Sequence, residues 1–554
     1  MPRNERRHHL DGPPAIVITG FMGTGKTETA KELAELLALE FMDTDALVER
    51  LAGCSIAEII AEKGEAHFRA LEAEVCERLY GRRGVVIATG GGTLLNEEIF
   101  QAFSNSGTTV LLEASIDSLH ERLAGDDSRP LLVAGGGGRT KAKLLRRIRS
   151  LLEDRERMYK NIRFRIDTSR ITPHTAACRI ASRIDLPSAV YSFGAVGNPG
   201  RSASLVEVGR GILSKIGERL KEHGLAEDVV LFMPASTRKH FLAQIETSLE
   251  LAGIRYHLIS IEDGEAHKTF DQVGRILDGI VEIGAGRDCT IVPVGGGVTG
   301  DIGGFAASIY MRGVHLVHVP TTLLAQVDSS IGGKTGVDHP RAKNLIGGFH
   351  QPDLVLSDPC ALRTLPLEQI SYGMAEVIKT ALIGSSELFE FIESELAAKG
   401  DRALQSVDFL ERCVTECIAI KGAIVGLDPF EKDKRRILNL GHTVGHALEA
   451  ASGYEMNHGQ AVALGLIAAL EISAARGMVE RDLLERTIAL LDRCGLPVLF
   501  PRIDEEAFFG GLRLDKKRKL GRIHFVLPVG MGGVKIVDDV TADEISSAIS
   551  RGRK

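Results

Sequence analysis

Tryptophan is absent from the 554 residues, and aromatic side chains make up only 5% of them, which excludes a broad aromatic recognition surface. Among the more apolar stretches, Ala461–Leu470 falls far short of the roughly 20 residues needed to cross a bilayer. The N-terminus, MPRNERRHHLDGPP, is basic but has no apolar segment behind it, so it does not read as a signal peptide. No C-x-x-C occurs among the eight cysteines, and no spacing forms a disulfide framework. Free thiols in a reducing, cytoplasmic setting are the expectation, with Cys413 and Cys417 buried on one helical face. There is no long basic run, and 67 basic against 74 acidic residues give a net charge of −7. Nucleic acid and anionic membrane are therefore disfavoured as partners, while basic pockets for small anions stay open.

What is present is the composition of a folded chain, 44% hydrophobic and 25% charged. At about 150 residues per domain the length allows three or four domains. Sixty-one glycines imply tight loops around ligands. The first 185 residues alternate strand-like runs (Ala15–Thr19, Val85–Ala88, Thr109–Glu113, Phe164–Asp167) with amphipathic helical stretches (Thr27–Leu39, Glu65–Tyr80, Lys141–Tyr159). That pattern predicts an α/β fold with a mainly parallel sheet. RIDLPS at Arg183–Ser188 reads as a joint. The next 180 residues alternate similarly, and from about Leu365 helical patterns take over until a late strand, Ile523–Pro528.

Gly20-Phe21-Met22-Gly23-Thr24-Gly25-Lys26-Thr27 fits G-x-x-x-x-G-K-[ST] between a strand and a helix. Its glycines let backbone N–H groups, among them those of Gly23, Thr24 and Gly25, curl around phosphates; Lys26 reaches the transferred phosphate, and Thr27 can hold Mg²⁺. Asp43-Thr44-Asp45, Phe68-Arg69 and Gly90-Gly91-Gly92 follow. Alone, the two aspartates read equally well as turn or cap residues.

Together these residues resemble shikimate kinase over residues 14 to about 184. The resemblance implies ATP with Mg²⁺ as cosubstrate and phosphorylation of the shikimate 3-hydroxyl. Asp45 would bind the ring hydroxyls and assist deprotonation, Arg69 and Arg155 would grip the carboxylate, and Gly90 to Gly92 would let backbone amides approach the ring. Asp43 would stand near the Mg²⁺ shell, and Glu28 beside the nucleotide. Ser128-Arg129-Pro130-Leu131-Leu132 resembles the lid, with Arg129 on the phosphates and Arg122 near the adenine. A four-glycine run, Gly135–Gly138, follows the lid and departs from the family pattern.

A second glycine loop, Gly295-Gly296-Gly297-Val298-Thr299-Gly300-Asp301, follows the strand-like run Thr290–Val294. It permits close approach to a pyrophosphate but is not the standard opening of a first βα unit. His442 and His446 fall at i and i+4 on one helical face, His458 adds a third imidazole, and Glu376 offers a carboxylate from another helix. Two histidines and one carboxylate form a sensible catalytic zinc site, leaving one histidine for acid–base work. Capping or core histidines are the bland alternative. The cations Arg312, Lys334, Lys343, Lys379, Lys421, Arg435, Lys516 and Lys517 point to a substrate with two anionic groups.

With Asp263-Gly264-Glu265, Pro320–Ser330, Gly332-Gly333-Lys334-Thr335, Ala375–Lys379 and Gly441–His446 added, residues 188 to 550 look like 3-dehydroquinate synthase. The resemblance implies conversion of 3-deoxy-D-arabino-heptulosonate 7-phosphate to 3-dehydroquinate plus phosphate. It implies Zn²⁺, or Co²⁺, on Glu376, His442 and His458, with His446 as a proton relay. NAD would lie along Asp263, Gly264, Glu265 and Lys268, along Gly297, Val298, Thr299, Gly300 and Asp301, and at Thr321, Thr322, Lys334 and Lys343. Its contacts would end at Ala361, Leu362, Arg363 and Thr364. Asp328, Lys379, Lys421, Arg435, Asn344, Asn439 and Lys516 or Lys517 would line the sugar-acid phosphate. Arg312 would reach the neighbouring subunit's site, which implies a homodimer. Two departures stand out: Phe232-Met233-Pro234-Ala235-Ser236 lacks the usual polar residue near the ribose, and Asp428–Arg435 replaces the usual loop before the catalytic arginine.

The expected organisation is α/β throughout. A P-loop kinase domain with a parallel sheet (1–185) precedes an α/β dinucleotide-binding lobe (188–365) and a helical metal- and substrate-binding lobe (366–554). Two rivals differ in function: a synthase carrying a non-catalytic nucleotide-sensing module, and a metal-dependent polyol dehydrogenase or other sugar-phosphate cyclase on the same fold.

Overall fold

Strands buried on both faces read as continuous apolar runs, and in Ala15–Gly20 (β1) every residue is buried. In the computed structural model, which describes residues 12–124, 141–193, 204–339, 342–502, 504–518 and 524–553, β1 lies inside a five-stranded sheet of order β2-β3-β1-β4-β5. Its other strands are Glu40–Asp43 (β2), Val85–Ala88 (β3), Gly107–Glu113 (β4) and Phe164–Asp167 (β5), all parallel. Side chains alternate across the sheet: Val17, Ile87 and Leu111 join one apolar layer, Ile16, Ile18, Val86, Val110 and Leu112 the other. Helices Lys26–Leu37 and Pro173–Ala181 cover the second layer, and Glu65–Leu79 and Glu97–Ser106 the first. The carboxyl ends of β1, β2 and β3 open directly into the glycine loop, Asp43–Asp45 and the triple glycine, the edge where parallel α/β sheets bind ligands.

The chain divides into two compact units, Met1–Pro187 with Ala243–Ser248, and Ser188–Leu242 with Leu249–Lys554. In the second, Ser188–Phe193 (β6) runs antiparallel to Ser204–Gly209 (β7) at one edge of a seven-stranded sheet. The remaining strands, Val229–Pro234 (β8), Tyr256–Ile261 (β9), Thr290–Gly295 (β10), His315–Pro320 (β11) and Leu354–Ser357 (β14), pair in parallel in the order β7-β14-β11-β10-β8-β9. Between β11 and β14 the chain makes an antiparallel hairpin, Lys334–His339 (β12) with Ala342–Phe349 (β13).

Beyond Leu365 helices dominate, and their apolar faces merge into one core that also takes in Val206 and Val208 of β7 and runs to Ile549. The central helix, His458–Ala475, is long and apolar enough to cross a membrane, yet 78% of it is buried within this core. Ala461–Leu470 is thus the middle of a core helix. The late strand is Phe525–Gly530 (β15), and it pairs with a second strand, Gly533–Val537 (β16), that the sequence pattern did not reveal. The half-exposed residues of β16 blur its alternation.

Candidate functional site

The helix after β1 begins at Gly25, whose φ of 82° suits glycine, and no side chain caps its first N–H groups. A helix N-terminus of this kind is where phosphate oxygens bind in P-loop folds. Lys26 Nζ donates to the Phe21 carbonyl at 3.1 Å. Thr27 Oγ1 donates to Asp43 Oδ2 at 2.9 Å, while Asp43 Oδ1 accepts the N–H groups of Asp45 and Ala46 at 3.0 and 3.3 Å. Asp43 is therefore both helix cap and partner of the Thr27 hydroxyl. Arg122 braces the loop, donating to the Gly23 carbonyl at 3.1 Å and the Thr168 carbonyl at 2.6 Å. Glu28 is exposed and pairs with Lys31 at 3.2 Å.

Gly90 to Gly92 line a cradle that Cβ atoms would fill. A Cβ at Gly90 would stand 2.4 Å from Asp45 Oδ1, one at Gly91 3.3 Å from an Arg155 nitrogen, and one at Gly92 2.9 Å from an Arg69 nitrogen. The structure thus brings Asp45, Arg69 and Arg155 together around the triple glycine. Arg155 is buried over the Phe21 ring, 4.8 Å from its centroid, and its Nη1 has no hydrogen-bond partner. A buried guanidinium nitrogen in that condition suits an incoming carboxylate. Glu72, which the sequence reading did not single out, is buried beneath them and accepts from Arg69 at 2.7 Å and Thr93 Oγ1 at 2.7 Å. Its only sequence signal is the i+3 spacing from Arg69.

In the second unit Glu376 is fully buried, with His442 Nε2 at 3.5 Å and His458 Nε2 at 3.4 Å from its Oε1 and Lys379 Nζ paired to its Oε2. Ligand atoms of Glu376, His442 and His458 all lie within 4.8 Å of one another. Neither carboxylate oxygen has a hydrogen bond of proper geometry despite these close charges. Two imidazoles and a buried carboxylate fit a tetrahedral metal with an open position. Burial and Lys379 push His442 down to about 3, keeping it neutral as a ligand must be. Burial also opposes charge on His458, but Glu376 and Glu449 outweigh it and lift the imidazole to about 10. A metal would take the place of that proton. His446 is exposed on the same helix, its ring centroid 5.3 Å from that of His442.

Three cations converge beside this cluster. Lys421 Nζ reaches the Asp328 carbonyl at 2.6 Å and its Oδ1 at 2.7 Å, and Lys379 stands 3.8 Å from the same oxygen. Burial would raise the Asp328 carboxyl, but the two lysines hold it at about 2. Burial lowers Lys421 to about 8 against the pull of Asp328. Arg435 donates to the carbonyls of Gly332 and Pro429 at 2.8 and 2.7 Å, and its Nε has no partner. Lys334 pairs with Glu431, which also accepts from Asn439 at 2.8 Å. Glu431 belongs to the unusual Asp428–Arg435 loop, and nothing in the sequence marked it. Asp428 organises that loop by accepting the N–H groups of Lys432, Asp433 and Arg435.

The dinucleotide candidates cluster at the carboxyl edge of the seven-stranded sheet. Gly296 caps the helix Gly297–Ile309 without a side-chain bond, and a Cβ at Gly296 or Gly297 would press on Thr322 or Ser329. Val298, Thr299, Gly300 and Asp301 form the first turns of that helix, and Thr321 follows β11. Buried Lys268 binds Asp301 Oδ2 and Asn344 Oδ1, both at 2.6 Å. Asn344, expected on the substrate, is thus held by Lys268. Ser236 hydrogen-bonds Asp263, so the departure at Phe232–Ser236 still places a hydroxyl beside the exposed Asp263-Gly264-Glu265 turn. Lys343 stands 3.7 Å from Glu265 and 3.2 Å from Glu449. Ala361 and Leu362 are buried on the turn Pro359–Thr364, with Arg363 and Thr364 exposed. Arg312 is exposed on the turn Tyr310–Arg312, in the left-handed region at φ 69°. Arg129 and Gly135–Gly138 lie outside the described residues, as do the side chains of Lys516 and Lys517.

Fold and sites together define a P-loop phosphotransferase domain followed by an α/β-plus-helical domain with a metal-ligating cluster. The shikimate kinase family model matches residues 22–185, and the N- and C-terminal 3-dehydroquinate synthase models match 258–372 and 373–518. The 3-dehydroquinate synthase of Nostoc punctiforme is 42% identical over 339 residues, which cover 61% of this chain and 93% of that protein. That of Symbiobacterium thermophilum is 43% identical over 346 residues, 61% of this chain and 95% of that one. Among solved structures, a 2-epi-5-epi-valiolone synthase from Streptomyces hygroscopicus with NAD⁺ and Zn²⁺ bound superposes with a TM-score of 0.59 at 27% identity, covering 65% of this chain and 99% of that one. A 2-deoxy-scyllo-inosose synthase complexed with carbaglucose-6-phosphate, NAD⁺ and Co²⁺ gives 0.58 at 27% identity, covering 66% and 100%. The chain belongs to the 3-dehydroquinate synthase family and carries a shikimate kinase domain ahead of the synthase, making it a bifunctional shikimate-pathway enzyme.

Proposed function

We propose that the kinase half transfers the ATP γ-phosphoryl group to the 3-hydroxyl of shikimate. In the same chain, the synthase half converts 3-deoxy-D-arabino-heptulosonate 7-phosphate to 3-dehydroquinate and phosphate. In the kinase half, Arg69 and Arg155 grip the substrate carboxylate and Asp45 takes the proton of the attacking hydroxyl. Lys26 and the N–H groups from Gly23 onward neutralise the phosphates, while Thr27 and Asp43 hold the Mg²⁺ that accompanies ATP.

In the synthase half Glu376, His442 and His458 would hold Zn²⁺ or Co²⁺. The glycine turn at Gly296–Gly297, the Asp263–Lys268 segment and Thr321-Thr322 would hold NAD. When bound, these groups supply reversible oxidation of one substrate alcohol and polarisation of its oxygen, which acidifies the neighbouring C–H. Lys379, Lys421 and Arg435 orient the doubly anionic substrate, and Asp328 keeps the first two lysines in place. His446, half-turned to solvent on the ligand helix, moves a proton without being a ligand. The observation that carries this reading is the fully buried carboxylate of Glu376, one oxygen paired with Lys379 and the other within 3.5 Å of two imidazole nitrogens. We further assign Arg312 to a second copy's site, hence a homodimer, and a cytoplasmic setting, which eight unpaired cysteines support.

The test follows phosphate release from the heptulosonate phosphate at substoichiometric NAD while absorbance at 340 nm is recorded. Many turnovers per NAD with no accumulating NADH are expected, because the hydride returns to the substrate. Stoichiometric NADH would favour a polyol dehydrogenase instead.

A further inference from the structure

Both histidines of the metal cluster aim the same nitrogen inward. His442 Nε2 and His458 Nε2 stand 3.5 and 3.4 Å from Glu376 Oε1. Their outer nitrogens differ in partner: His442 Nδ1 meets the Leu440 carbonyl at 3.1 Å, and His458 Nδ1 faces Glu449 Oε1 at 3.7 Å. The latter distance becomes a hydrogen bond with a modest rotation of either side chain. A ligating imidazole needs its second nitrogen held, because that contact sets the tautomer and the plane of the ring.

Glu449 is placed for this by its helix. It lies about two turns after His442 in His442–Ala451 and so returns to the same face. Its side chain is only 4% exposed, a costly position for a carboxylate without partners. Lys343 Nζ, from β13, holds the same Oε1 at 3.2 Å and lies 5.1 Å over the Tyr454 ring. The lysine compensates the charge and fixes the carboxylate; it leaves the aim at His458 to be explained.

We propose that Glu449 is a positioning residue that fixes the His458 ring for metal ligation. The proposal rests on the reading of Glu376, His442 and His458 as the ligands. The Glu449 carboxylate accepts the Nδ1 proton, which leaves the Nε2 lone pair directed at the metal position, as the Leu440 carbonyl does for His442.

The experiment titrates Co²⁺ into the metal-free full-length chain, reading the d–d absorption, with Zn²⁺ per chain from elemental analysis. Wild type should bind one ion per chain and His442→Ala should lose it. Glu449→Gln, nearly isosteric, should bind one ion about 10–100-fold more weakly, with the metal-free chain still folded by circular dichroism. Should that variant not fold, Glu449→Asp keeps the charge and shortens the reach, and should lose a smaller part of the same affinity. Unchanged affinity in whichever variant folds, with His442→Ala metal-free, overturns the positioning role and leaves the ligand reading intact. Two ions in wild type falling to one in Glu449→Gln would make Glu449 a ligand and overturn it as well. A wild-type chain that binds no metal overturns both.

Discussion

Replacing Gly90 by alanine tests how tightly the shikimate cradle is built. The new Cβ would stand 2.4 Å from Asp45 Oδ1, 2.8 Å from Thr93 Oγ1 and 3.1 Å from Glu72 Oε1. The first distance is about 1 Å short of ordinary contact, and the Thr93 and Glu72 side chains are buried and bonded to each other, so they give little. The Asp45 carboxylate must therefore move by about 1 Å. A misplacement of that size in a reacting group costs roughly 10²-fold in rate, and overpacking adds about 1–3 kcal/mol of destabilisation. The assay is shikimate-dependent ADP release, with synthase activity of the same preparation as an internal control for folding. Gly91→Ala presses on the buried Arg155 nitrogen at 3.3 Å, a milder approach, and should cost less in rate than Gly90→Ala. Gly92→Ala meets the terminal guanidinium of Arg69 at 2.9 Å and should mainly raise KM. Equal effects at all three positions, or Gly90→Ala within twofold of wild type, would refute the argument.

His442→Ala and His458→Ala should each lose bound metal and cyclisation, whereas His446→Ala should keep the metal and turn over slowly; metal analysis of the purified variants separates ligand from relay. Asp358 is buried at the start of the turn Pro359–Thr364, and desolvation raises its carboxyl to about 6 although the N–H groups of Gly211, Leu213 and Cys360 bond it. The folded state therefore holds this proton more tightly than the unfolded chain, and its contribution to stability is present below about pH 4 and lost as pH rises through 6. The stability margin of wild type over Asp358→Asn should shrink by about 1 kcal/mol between pH 5 and 7; a margin that grows would reverse the assigned shift.

The parts of the fold and sites that were legible in the sequence are those written locally. The turn Gly20–Thr27 carries its function in consecutive residues, and β3, β5 and the helix Lys141–Tyr159 occur where period and composition placed them. The ligand helix was legible because His442 and His446 share a face at i and i+4. Contacts made across the fold were not legible. Glu431 meets Lys334 from a distant loop, and Asn344 joins Lys268 because the β12–β13 hairpin folds back, a hairpin whose glycines mask the alternation of a strand. Glu72 and Glu449 did carry a signal, i+3 from Arg69 and from His446, but a carboxylate on a helix face is usually a solvated one. Only their burial distinguishes them.

Two unrelated phosphate chemistries in one chain can both be read in a single ³¹P NMR time course. The purified protein is given ATP, Mg²⁺, shikimate, the heptulosonate phosphate, Zn²⁺ and a trace of NAD. Two concurrent changes are expected. The sugar-phosphate signal converts to inorganic phosphate, and the γ-phosphate of ATP moves into a new phosphomonoester resonance that forms only when shikimate is present. ATP that yields inorganic phosphate alone, or a sugar-phosphate signal that persists with metal and NAD supplied, would contradict that expectation.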